Sequence, residues 1–590
     1  MSSADQDDAA SAAASPGAEG AGAMPLNIRA PGAGSSSRNS SGASGAGSGV
    51  AAARSLSALG RTPMYTKPFD DDEHAVMMRL RKGVVQCFVS GVKNNWVQPW
   101  SKAAPQTWAG SGFIVSLERR LIVTNAHVVQ FAATLQLRID GEYDKHEASI
   151  LAVNHQVDLA IVTVKSDAFW RGAVALPIGD DPRLQAHVDV VGYPKGGTGI
   201  SITSGVVSRI DWNVYSHGMA SNLCITVDAA INAGNSGGPA ISKNKVCGVS
   251  FQGLSDADNI GYLIPASVLK RVLEDYSAQS EAAAAAPAAA ASPASREGLA
   301  LKGFAHFAPK FQTMEAAALR KASLLAEGES GVLIYDVPRV SNLLGVLEKA
   351  DVLVAVDGEK VSNDGRVKRG DNSPMDFRVC VTLKLVGEKV RYTIVRNGEK
   401  RDVEAAAERV PQLTPATWYG PTQFSIFAGL VFVPATDAAE YPIMHAPYSL
   451  GRYHEAGFKH EHQHQQLPVL VTILPHSIMI GYEPKVFDPF SPLLSVDGTN
   501  VLCLTDVHRL CAASAGPFTT FVFAGGRRIV LPTAEGRAAT AELMKEHRIT
   551  HEASSDIIAA TAAHHGAHAP AAEGTAPAPA AAAAETAAAP

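Results

Sequence analysis

Between residues 83 and 251, short apolar and largely β-branched runs alternate with turns that contain Gly, Asn or Asp. Many short strands at this spacing predict antiparallel barrels, and the pattern starts again after residue 173, so we expect two barrels. A short helix is expected to begin near Asp70, and an amphipathic helix is expected over 267–276. The runs predicted as strands are 84–89, 112–115, 121–124, 135–139 and 159–164 in the first barrel, and 188–191, 201–208, 224–227 and 246–251 in the second.

Two further regions follow the barrels. The stretch 281–293, between the barrels and these two regions, is almost pure alanine with two prolines, which predicts a linker. In both regions alternating residues flank an Asp-Gly pair, a signal typical of a β-hairpin, and 494–501 echoes 354–361 as a weak internal repeat. A chain of 590 residues is too long for one core, so several domains are expected.

Composition limits the partners and the compartment. The net charge of −6 gives no electrostatic case for a nucleic-acid or anionic-membrane partner. No apolar run approaches the roughly 18 residues that a membrane span needs. The six cysteines are scattered and lack a Cys-x-x-Cys pair, which predicts free thiols in a reducing compartment, with a Cys224–Cys247 bridge as the alternative.

The candidate chemistry centres on Ser236, within Ile231-Asn232-Ala233-Gly234-Asn235-Ser236-Gly237-Gly238-Pro239. A serine hydroxyl becomes a nucleophile when a base lies beside it and N–H groups surround the developing oxyanion. The glycines of this stretch allow the backbone conformations and the close approach that such a loop requires. The predicted oxyanion hole comprises Gly234, Asn235 and Ser236, with the Gly234 and Ser236 amides as the natural donors. Alone, the stretch fits an ordinary hairpin loop better than a nucleophile loop.

Two upstream residues favour a nucleophile loop over an ordinary hairpin loop. His127 follows one predicted strand and Asp158 precedes another, and the chain order His127, Asp158, Ser236 is that of the chymotrypsin arrangement. Asp158 should accept the Nδ1–H of His127, which leaves Nε2 to face the serine and to take its proton. His155 and His187 lack such flanking motifs and are expected to be surface or core residues.

Seven ordered motifs around these residues resemble the Deg/HtrA family of ATP-independent serine proteases. They are Gly110-Ser111-Gly112-Phe113, Thr124-Asn125-Ala126-His127-Val128-Val129, Asp158-Leu159-Ala160, Val191-Gly192-Tyr193-Pro194, Gly205-Val206-Val207-Ser208, 228–239 and 259–265. The resemblance implies a serine endopeptidase with the catalytic residues His127, Asp158 and Ser236. It also implies control through loop order and oligomeric state, because Asn235 cannot form the ion pair with a new N-terminus that an aspartate there would form.

The two regions after the linker resemble PDZ domains. Residues 331–337 and 347–361 carry the first resemblance, which implies capture of a peptide strand at the sheet edge and of its carboxylate on backbone N–H groups. The candidate carboxylate loop, 303–308, lacks the usual second glycine, so peptide capture and a docking or assembly role both stay open. The second region, with 427–434 and 480–483, resembles the plant and algal branch and is expected to make contacts within an assembly.

The predicted fold class is mainly β, with a chymotrypsin-like double β-barrel protease domain followed by two PDZ-like α+β domains. The predicted order is a disordered Ala/Gly/Ser-rich arm (1–70), a trypsin-like serine protease domain (71–277), an Ala/Pro linker (278–297), a first PDZ domain (298–410), a divergent PDZ-like domain (411–535), a helical extension (536–560) and a disordered tail (561–590).

The resemblance also places a specificity pocket. Residues 251–260 match the family's pocket loop, and Ile231, Leu254 and Ile260 are the predicted wall residues. No aspartate is placed to demand a basic side chain, so small or medium aliphatic side chains are expected at the cleaved position.

Four histidines raise the question of a metal site. His454, His460, His462 and His464 stand close together, but Gln, Glu and Lys fill the stretch and no orienting partner is evident. We therefore expect a solvated loop there, with no metal and no cofactor.

The expected function is hydrolysis of peptide bonds in unfolded or damaged proteins, that is, protein quality control. The resemblance implies a homo-oligomer assembled from trimers, and the acidic start and the helical extension resemble the nuclear or nucleolar type. The nucleus or nucleolus is therefore the expected compartment, with chloroplast and cytosol as alternatives. The alternative functions are a PDZ-bearing scaffold or chaperone with an idle protease domain, which the intact His127, Asp158 and Ser236 oppose, and an esterase.

Overall fold

The computed structural model describes residues 71–567, apart from 196–198, 219, 254–259, 286–297, 370–373, 412, 414–421, 437–461, 463–464 and 483–490. The predicted arm (1–70), most of the predicted linker and the tail beyond 567 lie outside the described residues.

Two closed barrels follow a first helix, α1 (Asp71–Arg81). The first barrel runs in the order β1-β2-β3-β6-β5-β4 and the second in the order β10-β11-β12-β9-β8-β7, which confirms the predicted double barrel. The elements of the first barrel are β1 (Val84–Gly91), β2 (Gln106–Ser116), β3 (Leu121–Thr124), α2 (Ala126–Val129), β4 (Ala132–Ile139), β5 (His146–Asn154), β6 (Leu159–Val164) and α3 (Asp167–Trp170). Those of the second are β7 (His187–Gly192), β8 (Ser201–Val214), β9 (Ser221–Val227), β10 (Pro239–Ser242), β11 (Lys245–Gly253) and β12 (Gly261–Pro265).

Three barrel strands were not predicted as strands. β5 has alternately exposed and half-buried positions at its start, and β10 and β12 have only four and five residues. Such short or half-polar segments carry a weak local signal, and they form strands because a closed barrel offers each of them a partner on both edges.

The two barrels share one hydrophobic cluster. Val123 and Leu159 of the first barrel belong to the same buried cluster as Tyr193, Ile241 and Phe251 of the second. Burial of apolar area contributes roughly 25 cal/mol per Å², so the shared core resists separation of the barrels. The loops that meet at this seam are therefore held on one rigid support.

Helix α4 (Ala266–Ala285) closes the protease domain and is longer than expected. Sequence periodicity placed its end near residue 276 and a linker after it, whereas the helix continues into the alanine-rich stretch. Alanine has the highest helix propensity, so no apolar stripe is needed to extend an existing helix.

The first PDZ-like domain is a sheet in the order β13-β14-β15-β19-β20, with β16 paired to β15. Asp357 and Gly358 connect β15 to β16 with positive φ at both residues, 50° and 88°, as the Asp-Gly signal predicted. Its core forms one cluster with the second barrel. The elements are β13 (Lys310–Thr313), α5 (Ala317–Ala322), β14 (Val332–Asp336), β15 (Val352–Val356), β16 (Glu359–Lys360), β17 (Arg366–Val367), β18 (Met375–Asp376), α6 (Val379–Thr382), β19 (Lys389–Arg396) and β20 (Glu399–Ala406).

The candidate carboxylate loop of this domain is engaged by the chain itself. The Gly303 amide donates to Oδ2 of Asp275, a buried residue of α4, at 3.0 Å. The Ala305 and His306 amides donate to backbone carbonyls at 2.9 and 2.8 Å. Three amides of the loop are therefore committed internally, an arrangement that favours docking of this domain on α4 over peptide capture at 303–308.

The second PDZ-like domain contains two sheets, β21-β22-β23 and β25-β24-β26-β27. Leu543 and Ile557, from the last two helices, are buried in the clusters that these sheets form. The elements are β21 (Ser425–Phe427), β22 (Leu430–Pro434), β23 (Pro468–Ile473), β24 (Leu493–Val496), β25 (Thr499–Asn500), α7 (Leu504–Ala513), β26 (Phe518–Phe523), β27 (Arg528–Pro532), α8 (Thr533–Glu546) and α9 (Ser555–Ala567).

All six cysteines lie within the described residues and all are free, as predicted; the alternative Cys224–Cys247 bridge is not formed. Among the described helices, none has the length and apolar character to cross a membrane.

The α4 contact predicts a local stability effect. Asp275→Ala leaves the Gly303 N–H without its acceptor, which should cost about 1–3 kcal/mol. We expect faster amide hydrogen exchange at 301–308, measured by mass spectrometry. Glu281→Ala, at an exposed position of the same helix, is the matched control. Equal exchange in the two variants would contradict a structural role for the Asp275 carboxylate.

Candidate active site

His127 lies in α2, a single helical turn that begins directly after the fully buried strand β3. The apolar residues of this turn, Ala126, Val128 and Val129, are buried, whereas the His127 side chain is 32% exposed. The sequence pattern of an apolar strand followed by a polar residue therefore places an imidazole at the barrel seam, anchored by its neighbours on both sides.

Asp158 lies in a tight turn between β5 and β6. Asn154 Oδ1 accepts the amides of Gln156 and Val157 at 3.1 and 3.3 Å, which is the hydrogen-bond pattern of an Asx turn. Asp158 itself has φ of 53°, a region that non-glycine residues seldom occupy. The Asn125 side chain donates to the Asp158 carbonyl at 2.8 Å and helps to hold that conformation.

The imidazole and the carboxylate form a close pair. Asp158 Oδ2 is 2.7 Å from His127 Nδ1, and Oδ1 accepts the His127 backbone amide at 2.9 Å. Burial acts to lower the pKa of His127, but the charge of Asp158 and the hydrogen bond outweigh it, so the His127 pKa is raised. Burial acts to raise the pKa of Asp158, and His127, His217 and the hydrogen bonds reverse this effect, so the Asp158 pKa is lowered. The pair favours an ionised carboxylate beside a basic imidazole.

The Ser236 loop depends on glycine at defined positions. Gly234 and Gly237 have φ of 102° and 84°. A Cβ on Gly237 would lie 2.2 Å from the Ser111 carbonyl oxygen and 2.5 Å from Thr124 Oγ1. Only glycine combines this conformation with such a close approach. The same contacts place the residue after Ser236 against the end of β3, close to the turn that carries His127.

Two buried serines orient the peptide planes of this loop. Ser111 donates its amide to the Ser236 carbonyl at 2.8 Å and its hydroxyl to the Gly234 carbonyl at 2.7 Å. Ser250 Oγ donates to the Asn235 carbonyl at 2.6 Å. Ser111 comes from the first barrel and Ser250 from the second, so both barrels determine the shape of the loop.

The directions of the Gly234 and Ser236 N–H groups follow from the peptide planes of the loop. A carbonyl and the next N–H point in opposite directions across a trans peptide, so holding the Asn235 carbonyl aims the Ser236 N–H away from Ser250. The Ala233 carbonyl accepts the Lys195 amide at 2.6 Å, which orients the Gly234 N–H in the same way.

The Gly234 and Ser236 amides donate to no acceptor among the described residues, whereas the Asn235 amide donates to Asn232 at 3.0 Å. The Asn235 amide, which the predicted oxyanion hole includes, is therefore engaged by the chain itself, and the donor role of the Gly234 and Ser236 amides stays a prediction.

The Ser236 hydroxyl is not bonded to the imidazole, although both residues are described. Ser236 Oγ donates over 3.4 Å to the Phe251 carbonyl. In structures without substrate, catalytic hydrogen bonds are frequently long or misaligned and tighten when substrate binds. The structure therefore brings His127 and Asp158 into direct contact and places the serine loop at the same seam with its hydroxyl turned aside.

The predicted pocket walls are partly described. Ile231 is half-buried, and a Cβ on Gly261 would lie 2.6 Å from its Cδ1, so the Ile231 side chain fills space that a bare glycine leaves open. Ile260 is half-buried beside that glycine and packs on the protease core. Leu254 lies outside the described residues.

A pair of buried histidines beside Asp158 was not predicted as part of the site. His155 and His217 are each 8% exposed, and His155 Nδ1 lies 2.8 Å from His217 Nε2. His155 stands three residues before Asp158 in the same turn, a proximity visible in the sequence. His217 comes from the hairpin between β8 and β9, and no local pattern marks it.

Of the four clustered histidines, His454, His460 and His464 lie outside the described residues, and His462 is exposed. In the part of the chain that is described, no group of three or more His, Cys, Asp or Glu side chains is arranged to hold a metal ion.

Comparison with known families and structures found several similar proteins. A trypsin-like peptidase domain matches residues 110–249, and a PDZ domain matches residues 415–556. The second match crosses the boundary predicted at 535 and takes in α8. A solved HtrA-type protease, AlgW with a decapeptide, is 19% identical and covers 57% of this chain and 98% of its own, with a TM-score of 0.41.

Relatives from Arabidopsis thaliana extend the likeness over most of the chain. Protease Do-like 4, mitochondrial, is 36% identical over 354 residues, 60% of this chain and 64% of the relative. Protease Do-like 2, chloroplastic, is 31% identical over 484 residues, 80% of this chain and 75% of the relative. An identity of this size over both protease and PDZ regions shows that the chain belongs to the Deg/HtrA family of serine proteases, which are hydrolases.

Proposed function

We propose that this chain is an ATP-independent serine endopeptidase that hydrolyses peptide bonds in unfolded or damaged proteins, with Ser236 as nucleophile, His127 as general base and Asp158 as its orienting carboxylate. The observation that carries the proposal is the His127–Asp158 pair, at 2.7 and 2.9 Å, beside a serine loop whose Gly234 and Ser236 amides have no acceptor among the described residues.

The reaction follows from these positions. Rotation of the Ser236 side chain away from Phe251 brings Oγ to Nε2 of His127, which removes the hydroxyl proton as Oγ attacks the peptide carbonyl carbon. The carbonyl oxygen gains negative charge, which the two amides stabilise. The His127 imidazolium, held by Asp158, then protonates the leaving amine as the C–N bond breaks. Water hydrolyses the resulting acyl-enzyme by the same steps in reverse, so the chemistry needs no cofactor.

Selection of unfolded clients is assigned to the protease cleft. A serine protease cleft binds an extended backbone, which a folded protein rarely offers. The loop of the first PDZ-like domain that was considered for peptide capture has three amides committed within the chain. The proposed role of that domain is therefore docking on the protease domain.

Removal of the nucleophile is the first test. Ser236→Ala should lower the rate of digestion of an unfolded casein-like substrate by on the order of 10⁴-fold or more, because proton transfer and covalent catalysis are lost together. The measurement is release of acid-soluble peptide over time. Ser204→Ala, at an exposed serine of β8, is the control and should digest as the wild type does. Equal digestion by the Ser236→Ala protein would remove Ser236 as nucleophile, and no digestion by either protein would favour the scaffold.

The pH profile tests the His127–Asp158 pair. His127 must be neutral to accept a proton, and its pKa is raised above 6.5, so kcat/KM should fall on the acid side with an apparent pKa above 6.5. Asp158→Asn removes the charge that raises the pKa. The acid limb should then move to lower pH, and kcat should drop about 10⁴-fold.

An acid limb of kcat/KM at the same pH in the wild type and in the Asp158→Asn protein would contradict the assignment of Asp158.

The raised pKa of His127 also affects stability. Because this pKa is higher in the folded protein than in the unfolded chain, protonation of His127 stabilises the fold. The contribution is fully present below the unfolded pKa and is lost as pH rises through the folded pKa.

The pocket proposal concerns which bonds are cut. With Ile231 and Ile260 as walls, cleavage should follow small or medium aliphatic residues. Ile231→Ala should raise kcat/KM for Leu over Val at that position by about 10-fold, since each extra methylene accommodated contributes on this order. Mass-spectrometric mapping of the cleavage sites in one unfolded substrate measures the ratio. An unchanged ratio would place Ile231 outside the pocket.

Assembly and compartment complete the proposal. A trimer-based homo-oligomer is proposed from the family resemblance, and the nucleus or nucleolus from the acidic start and helical extension. The relatives named above carry mitochondrial and chloroplastic designations, which describe those proteins. The molar mass from light scattering tests the oligomeric state, and a monomer would overturn the proposed homo-oligomer. Imaging of a fluorescent fusion tests the compartment, and a plastid signal would overturn the proposed nuclear or nucleolar location.

A further inference from the structure

His155 and His217 are buried titratable groups next to the proposed catalytic residues, and the reaction described above does not use them. Each side chain is 8% exposed, and the two rings are joined by a 2.8 Å contact between His155 Nδ1 and His217 Nε2. One ring must donate and the other must accept, so the contact requires a defined tautomer on each.

The contact belongs to a larger clamp between the barrels. The turn 154–158, which carries Asp158, belongs to the first barrel, and the hairpin after β8 belongs to the second. Asn222 Nδ2 of that hairpin region donates to the Gln156 carbonyl at 3.1 Å. A Cβ on Gly218 would lie 2.4 Å from the His155 carbonyl oxygen, so the two backbones meet with no room for a side chain between them.

The rings form a row that leads to the proposed base. The His155 and His217 ring centroids are 5.1 Å apart, and His217 lies 6.0 Å from His127 with its plane tilted by 54°. His217 is thus in ring contact both with His155, in the turn that carries the carboxylate, and with the imidazole that the carboxylate orients. A shift of this ring would alter the position of both.

His155 and His217 are both neutral at physiological pH. Burial lowers the pKa of His155 to about 2, and the neighbouring His217 adds to the shift. Burial lowers the pKa of His217 to about 4 against the opposing charge of Asp158. Arg409 and His127 are the further charged or titratable groups that disfavour a proton on this pair.

We propose that His217, through its hydrogen bond to His155, is a positioning residue that fastens the Asp158 turn to the second barrel and packs behind the His127 ring. The inference rests on the proposed function, because the consequence of positioning is read in the activity of His127 and Asp158. His127 and Asp158 both lie in the first barrel, and His217 would support them from the second.

Kinetics of four variants, His217→Phe, His217→Gln, His155→Phe and the His155→Phe/His217→Phe double variant, test the positioning role. His217→Phe keeps a ring but removes the hydrogen bond, and kcat should fall about 10- to 100-fold with KM within about twofold, because small misplacement of reacting groups slows the chemical step. His217→Gln restores a polar group near the Nε2 position, and its kcat should return to within about threefold of the wild type.

The His155→Phe/His217→Phe protein should lose no more kcat than either single variant, because both residues act through one contact. His187→Phe, at a histidine whose side chain is 66% exposed, is the control and should change neither constant.

The outcomes separate this inference from the proposed function. Equal kcat in the His217→Phe and His217→Gln proteins, or additive losses in the double variant, would overturn the positioning role. Retained digestion by Ser236→Ala would instead overturn the proposed function, without reference to either histidine.

A second experiment tests the clamp without measuring catalysis. Amide hydrogen exchange at 154–158 is compared in the Ser236→Ala protein with and without His217→Phe. Faster exchange in His217→Phe supports the clamp, and unchanged exchange overturns it. Thermal unfolding of each variant checks the fold, and replacement of both partners by apolar rings is the change expected to preserve it best.

Discussion

The hydrogen bonds of Ser111 across the barrel seam are the constraint on which the site depends. One buried serine of the first barrel holds the carbonyls of Gly234 and Ser236 in the second, while Ser250 holds the carbonyl between them. Because each peptide unit is planar and trans, fixing these carbonyls also fixes the directions of the adjacent N–H groups. The bond from Ser250 to the Asn235 carbonyl directs the Ser236 N–H, and the bond from the Lys195 amide to the Ala233 carbonyl directs the Gly234 N–H. The proposed oxyanion donors therefore need little reorganisation when charge develops on a substrate, which is the condition for effective electrostatic stabilisation.

Asp158 is held in place by hydrogen bonds that offset the costs of its burial and of its backbone conformation. Asp158 is 1% exposed and has positive φ, both unfavourable for an ionised non-glycine residue. Hydrogen bonds from the His127 amide and ring, and from Asn125 to the Asp158 carbonyl, offset these costs. The neutral His155–His217 pair adds a contact from the other barrel. The strained conformation therefore persists because several elements determine it together.

The domains after the barrels extend this rigid support. The first PDZ-like domain shares a hydrophobic cluster with the second barrel, and Arg378 of that domain lies over the rings of both Trp212 and Phe311, at 5.3 and 5.5 Å from their centroids. Arg271 of α4 forms a 2.5 Å ion pair with Glu388. An interface that combines apolar burial with oriented cationic contacts favours one arrangement of the two domains. The hydrogen bond of the Gly303 amide to Asp275 belongs to the same docking, whereas the Ala305 and His306 amides bond to carbonyls of the PDZ-like domain itself.

The sequence alone determined the features that rest on local patterns. Strand periodicity specified most of the two barrels, Asp-Gly specified the hairpin at Asp357, and motifs flanking His127, Asp158 and Ser236 singled out those residues, because backbone preferences act within a few positions of the chain. Only the tertiary structure decided the contact of His217 with His155 and the engagement of Gly303 by Asp275. It also decided the internal hydrogen bond of the Asn235 amide and the direction of the Ser236 hydroxyl, which donates to the Phe251 carbonyl. These features depend on which distant surfaces meet when the barrels and domains pack, and no periodicity within a single segment encodes that.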